Sequence, residues 1–324
     1  MMPAGRRALL GTSLAMAAVA RSNAAGYPDR PLRMLLGYPA GGGTDIMARA
    51  VAQRMQAELG QPLVIENRGG AAGMVAAQAA VSAPPDGYTL LFVTGSEVTL
   101  RPLLDRGLPF DMDRDLVPVV LLGTTPVVLA VNAALPARDV AELVALAKAQ
   151  PGRLSYASTG TGGMMHLTGE LFRVRAGVDI LHVPYRGAAP AVNDTAGGQV
   201  QMIFNGLPPV LPLARDGRLR ILAVSTPRRT EAAPEVPTLE ESGLPGFDTS
   251  NTVGLVAPRG TPPEAVARVN AAANTALADP AVREIFRRNG ADALGSTPEG
   301  YAEYIRAERA RFAEVIRLTG VRLD

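Results

Sequence analysis

Leu32-Arg33-Met34-Leu35-Leu36-Gly37-Tyr38-Pro39-Ala40-Gly41-Gly42-Gly43-Thr44-Asp45 decides how this chain is read. Leu32 to Tyr38 is an apolar run of strand length, and Pro39 to Thr44 is a turn. Asp45 to Leu59 then repeats apolar residues at helical spacing, with Ile46, Ala50, Met55 and Leu59 predicted inward. The unit recurs. Pro62 to Glu66 reads as a strand, Met74 to Ser82 as an Ala-rich helix and Tyr88 to Thr94 as a buried strand. Strands alternating with helices of this length predict parallel βαβ crossovers, hence an α/β fold with helices on both sheet faces.

Past Phe110 the pattern changes. Val117 to Val131 is a long β-prone stretch interrupted by Gly123-Thr124-Thr125-Pro126, which suits a strand passing between two lobes. A second series follows: helices over Ala137 to Ala149, Met164 to Arg175 and Ala189 to Ala196, with strands over Leu154 to Ser158, Ile180 to Tyr185, Val200 to Phe204 and Arg220 to Ser225. After a Pro-rich stretch and a short strand at Gly254 to Ala257, the tail reads as three helices: Pro262 to Leu277, Pro280 to Asn289 and Pro298 to Leu318. The simplest organisation has lobe 1 as residues 26–126 plus 249–324 and lobe 2, residues 127–248, inserted into it. At about 150 residues per domain, 324 residues fit two units.

The first 25 residues read as a secretory signal peptide. Arg6 and Arg7 precede thirteen mostly apolar residues, Ala8 to Ala20, and small residues allow cleavage after Ala24 or Ala25. Thirteen residues cannot cross a bilayer core of about 30 Å as a helix. The arginine pair leaves Sec and twin-arginine export both open. The mature protein is expected in the periplasm. The 32 basic residues include Arg6, Arg7 and Arg21 of this leader; setting those three aside leaves 29 against 30 acidic, so no nucleic-acid partner is implied.

Chemistry is conspicuous by what is missing. There is no Cys, so neither disulfides nor thiolate sites arise. Two histidines, no Gly-x-Ser-x-Gly elbow and no phosphate-loop motif leave catalytic residues, metal ligands and cofactors all at none. His182, inside the apolar run Ile180 to Tyr185, reads as a structural histidine. His166 opens a helix after glycines and reads equally as a ligand-side hydrogen-bonding group or as loop packing.

What the chain has instead is three glycine-rich helix starts, at Gly41-Gly42-Gly43-Thr44-Asp45, at Ser158-Thr159-Gly160-Thr161-Gly162-Gly163 and at Arg186-Gly187-Ala188-Ala189-Pro190. Glycine lets a ligand approach the backbone, and unpaired amides at the positive end of a helix favour an anion. Each turn alone also reads as simple helix capping. Three of them, at carboxyl ends of strands in two lobes, can converge on one small anion. Neutral donors such as Thr44, Ser96, Thr159 and Thr161 suit a carboxylate held reversibly. Asp45 would repel an anion it faced, so it reads as holding the loop or capping the helix. Arg186 reads equally as a ligand cation or a solvated side chain.

Over almost all of its mature length the chain resembles the Bug-type solute-binding proteins of tripartite tricarboxylate transporters. The matching segments are Tyr27 to Pro31, Tyr38 to Asp45, Glu66 to Arg68, Pro85 to Leu91, His166-Leu167, His182 to Gly187 and Gly254 to Pro258. The resemblance implies a two-lobe periplasmic-binding-protein fold of the Venus-flytrap, type II-like kind. Each lobe would be a mostly parallel sheet flanked by helices, with two crossover strands joining them. It implies capture of a di- or tricarboxylate, an acidic amino acid or a related organic acid in the interlobe cleft. One carboxylate would be gripped by the loops Tyr38 to Asp45 and Thr159 to Gly163. The far end would meet Thr94 to Glu97, Arg186 to Ala189 and the stretch after Phe204.

The ligand-binding candidates are therefore Tyr38, Ala40, Gly41, Gly42, Thr44, Asp45, Ser96, Thr159, Thr161, Gly162, His166, Arg186, Gly187, Ala188 and Asn205. Thr252 stands where relatives commonly carry a tryptophan, and Gln201 and Asn205 where acids are common, so a more polar, less aromatic distal pocket is expected. The expected partners are membrane permease subunits or a sensor kinase ectodomain, with the protein a monomer. A periplasmic enzyme acting on anionic substrates on the same scaffold is the alternative.

Overall fold

The computed structural model describes residues 26–70, 73–105, 107–108 and 110–321; the expected signal peptide lies outside them. The opening unit is β1 (Leu32–Leu36), α1 (Gly43–Leu59) and β2 (Leu63–Asn67), with β2 parallel to β1. α2 (Met74–Val81) returns the chain to β3 (Thr89–Thr94), parallel to β1 on its other side. All three strands therefore end on one edge of the sheet, and β3 is buried along its whole length because helices cover both faces. One expectation for α1 is corrected. Ile46 is 42% exposed; the inward stripe is Met47, Val51, Met55 and Leu59 at i, i+4 spacing, with Ala50 buried beside it and Ile46 at its edge.

A π-helical turn (Ser96–Leu100) follows, then short helices α3 (Arg101–Leu104) and α4 (Met112–Asp115), the latter capped by the Asp111 carboxylate. They lead into β4, a single strand over Leu116–Asn132. The second series is α5 (Val140–Ala149), β5 (Ser155–Ser158), α6 (Met164–Ala176), β6 (Leu181–Pro184), α7 (Ala188–Ala196), β7 (Met202–Gly206), α8 (Leu207–Arg215) and β8 (Leu219–Val224). β5 runs parallel to both β6 and β7. α8 escaped the sequence reading, because Pro208, Pro209 and Pro212 argue against a helix. Two of the three sit in its first turn, where no intrahelical amide bond is lost.

The tail comprises β9 (Ser250–Pro258), α9 (Pro263–Ala278), α10 (Pro280–Arg288), β10 (Asp292–Ala293) and α11 (Pro298–Thr319). β4 is shared by two sheets. From Leu116 to Pro126 it pairs antiparallel with β9; from Val127 to Asn132 it pairs antiparallel with β7 and β8. Parallel pairs thus form the outer part of each sheet, and antiparallel pairs the part next to the crossing. Ser225, just past β8, ties β4 to the residue before β9: its Oγ accepts from the Val127 amide at 3.0 Å and donates to the Thr249 carbonyl.

Alternating strand residues feed separate cores. In the first sheet Met34 and Leu36 meet α1, α9 and α10, while Leu35, Leu91 and Val93 meet α2 and Tyr301 and Ile305 of α11. In the second, Leu129, Tyr156 and Phe204 lie under α5 and α6, and Val128 and Ile203 under α7 and α8. α11 does not stay with the first sheet. Its later residues Phe312 and Val315 enter the core of the second, beside Leu171 and Phe172. Away from the strands, Asp292 of β10 accepts from Thr230 Oγ1 and the Glu231 amide, both at 3.1 Å, and Arg283 pairs with Glu231.

Candidate functional site

Both carboxyl edges meet at the middle of β4. Thr94 at the end of β3 lies opposite Val253, which lies opposite Gly123; Gly206 at the end of β7 lies opposite Val127. The strands β3, across β9, and β7 therefore end beside the same stretch of β4, between Gly123 and Val127.

In the first turn, Gly37 has no room for a side chain: a Cβ there would stand 2.4 Å from the Gly73 Cα. Gly41 adopts φ +82°, which glycine accepts without strain. Asp45, the third residue of α1, reaches back with Oδ2 to accept the Gly41 amide at 2.9 Å and Arg49 Nε at 2.8 Å. Its Oδ1 accepts from Asn67 Nδ2, which also donates to the Tyr38 carbonyl. Burial would raise the Asp45 carboxyl, but hydrogen bonds from Arg49, Gly41 and Asn67 hold it at about 2. No side chain caps α1 at Gly42, so the next helix-start amides, at Gly43 and Thr44, stay open.

The second turn repeats the device. His166, third in α6, accepts the Gly162 amide on Nδ1 at 2.9 Å, and no side chain caps α6 at Gly163. Acceptance at Nδ1 leaves the proton on Nε2 of a neutral ring. The His166 and His182 rings stack with centroids 3.9 Å apart, and His182 Nε2 meets Ser158 Oγ at 2.7 Å. Burial, then its neighbour His166, lowers His182 to about 4; burial lowers His166 as well. Ser158 and His182 resemble a nucleophile and base, yet Ser158 is fully buried and its Oγ bonds Gly160 on both sides, so it serves the turn. The third turn starts α7 at Gly187, φ +121°, again with no side-chain cap.

Of the sequence candidates, Ala40, Gly41, Gly42, Thr161 and Arg186 are exposed, and Tyr38, Thr44, Ser96, Thr159, Gly187 and Ala188 are half-buried. Asp45 and His166 are buried and occupied with their own turns. Asn205 is 2% exposed; its Oδ1 accepts the Gly206 amide, and its Nδ2 has no hydrogen-bond partner among the described residues. Asn205 pairs opposite Val128 of β4, two residues beyond Ile203, which pairs with Ala157 of β5.

Two participants lie in segments that the resemblance matches but have no role of their own in the sequence reading: Asn67 in Glu66 to Arg68, and Glu97 at the end of the far-end loop Thr94 to Glu97. Glu97 is 1% exposed and accepts from the Thr94 amide at 3.0 Å, from Thr94 Oγ1 and from Tyr38 Oη at 3.1 Å. Its one sequence signal is an acid standing in the otherwise uncharged run Thr89 to Leu100. A separate cavity of about 280 Å³, lined by Val98, Leu116, Val256 and Ile305, lies at the far end of β4 from these turns. Among the described residues no group of three His, Asp or Glu is placed to hold a metal ion, and no helix is long and apolar enough to cross a membrane.

The sequence matches the tripartite tricarboxylate transporter family receptor over residues 47–321. It is 39% identical to the protein BugT of Bordetella pertussis across 98% of both chains. Among solved structures, R. palustris Rpa4515 with adipate is 34% identical with TM-score 0.79, over 91% of this chain and 99% of that one. MatC from Rhodopseudomonas palustris with bound malate is 32% identical with TM-score 0.73, over 90% and 100%. The fold is the two-lobe one of these binding proteins, and on the strength of those matches the chain belongs to the Bug-type receptor family of the tripartite tricarboxylate transporters.

Proposed function

We propose that the protein is an extracytoplasmic receptor that captures a small organic acid between its lobes and releases it chemically unchanged. The observation that carries this reading is the matched pair of turns. Asp45 and His166 each fix one glycine amide, and the uncapped helix starts beyond them offer the remaining amides to an anion where the two edges meet. The adipate of Rpa4515 and the malate of MatC support the dicarboxylate class. One carboxylate sits on Tyr38, Ala40, Gly42, Thr44, Thr159, Thr161 and their neighbouring amides. The far end meets Ser96, Arg186, Gly187, Ala188 and Asn205, whose unpartnered Nδ2 calls for an acceptor on the ligand.

In this reading the lobes are residues 26–126 with 249–324, and 127–248, and α11 straddles them. Ligand contacts to both lobes supply the free energy of closure. The closed form then docks on permease subunits or a sensor kinase ectodomain as a periplasmic monomer. No catalytic step is assigned. Calorimetry with dicarboxylates and acidic amino acids should find a ligand with Kd below about 10 µM, roughly −7 kcal/mol. A panel that leaves both heat and melting temperature unchanged would overturn the proposal.

A further inference from the structure

We propose that Glu97 is a positioning residue for this cleft and that the protein takes up a proton on it when it captures its organic acid. The inference rests on the receptor reading above and adds a co-ligand to it.

Glu97 is a buried acid that no cation faces among the described residues. One oxygen receives the Thr94 amide, the Thr94 hydroxyl and the Tyr38 hydroxyl; the other lies against the Gly73 backbone, where a Cβ would come within 2.1 Å of it. The titratable groups on the surrounding elements are Tyr38 at the end of β1 and, on α11, Tyr301 and beyond it Glu308. None can neutralise a carboxylate. Arg309 of α11 reaches the neighbouring Val98 carbonyl and pairs with Asp113. Burial pushes the Glu97 carboxyl up to about 7, with its hydrogen bonds opposing.

Tyr38 joins this acid to the glycine turn, its ring at one end and its backbone at the other. Tyr38 donates its hydroxyl to Glu97 and offers its carbonyl to Asn67; Asn67 donates to Asp45, and Asp45 holds the Gly41 amide. Asp45 is ionised and Arg49 balances its charge, so the turn carries no spare cation to offset a ligand's carboxylate. A carboxylate seated on the same turn adds a negative charge, and neutral Glu97 is then favoured. The coupling is reciprocal, so a proton on Glu97 tightens the ligand. Affinity therefore falls as pH rises through about 7.

The test is calorimetry with malate, adipate and glutamate from pH 6 to 8.5, repeated in buffers of different ionisation enthalpy. For a probe that binds, the wild type should lose affinity by up to about tenfold per pH unit above 7, with net proton uptake. Glu97→Gln keeps an acceptor for Tyr38 and should bind with the wild type's low-pH affinity and no slope. Glu308→Gln, which removes the other buried acid raised to about 7, should keep the slope. A wild-type Kd constant across the range, or a slope surviving in Glu97→Gln, overturns proton coupling while leaving the receptor reading intact. Silence of all three probes at every pH overturns the receptor reading, and proton coupling falls with it.

Discussion

The side chain at the third position of a helix governs what the preceding turn offers a ligand. Asp45 and His166 are chemically unlike, yet both reach back four residues and fix a glycine amide. Asp45 was legible as holding the loop, since a carboxylate would repel a facing anion; the direction of His166 was not, because a neutral ring at a helix start suits the turn and the ligand equally. For Asp45 the folded carboxyl, at about 2, lies below the unfolded value near 4. Its stabilising contribution is thus complete above about pH 4 and lost as pH falls toward 2. Asp45→Asn should cost about 2 kcal/mol at pH 7 and progressively less below pH 4, read by urea unfolding at several pH values. A penalty as large at pH 2 as at pH 7 would refute this role. His166→Ala, removing a neutral acceptor, should cost about 1 kcal/mol and weaken ligand binding without abolishing it. Complete loss of binding in a folded His166→Ala protein would instead place the ring on the ligand.

Elements show most clearly where local pattern is sufficient and where it is not. β1, α1 and β3 were legible because apolar period and glycine punctuation agree with burial. α8 was hidden by three prolines, of which Pro208 and Pro209 sit harmlessly in the first turn while Pro212 lies inside the helix. α11 showed an apolar stripe, but a stripe does not say which core covers it, and Tyr301 and Phe312 turn out to belong to different ones. Phe312→Ala should therefore cost about 3–5 kcal/mol and raise amide exchange in α6 of the second sheet's core, although the residue belongs to the C-terminal tail. Unchanged α6 exchange would contradict that packing. Close contacts make a second prediction. A Cβ on Gly169 of α6 would stand 2.3 Å from the Tyr156 ring, so Gly169→Ala should destabilise by about 1–3 kcal/mol despite the better helix propensity of alanine. A stabilised Gly169→Ala protein would show that the ring moves aside freely.

At the scale of the molecule, the sequence supports two α/β units but says little about what holds them together besides β4 and β9. Bonds from Thr230 and the Glu231 amide to Asp292, and the Arg283 pair with Glu231, join parts far apart in the chain. Single polar and charged residues scattered over a turn, the short strand β10 and α10 carry no pattern that could have announced them. Asp292→Ala should loosen the unliganded form, seen as a larger radius of gyration in solution scattering, and saturating ligand should restore the compact value. An unchanged profile would assign those bonds no part in lobe position.

α11 limits how such a molecule can move. A stiff rod seated by a phenol ring at one end and a phenyl ring at the other cannot follow a sliding displacement without pulling one anchor from its socket. Any relative motion of the two cores must bend this helix between Ile305 and Phe312 or unseat one of its anchors. Severing the chain after Ile305 would free the jaws to twist as well as shut, and prey would escape faster even with every contact in the mouth unaltered.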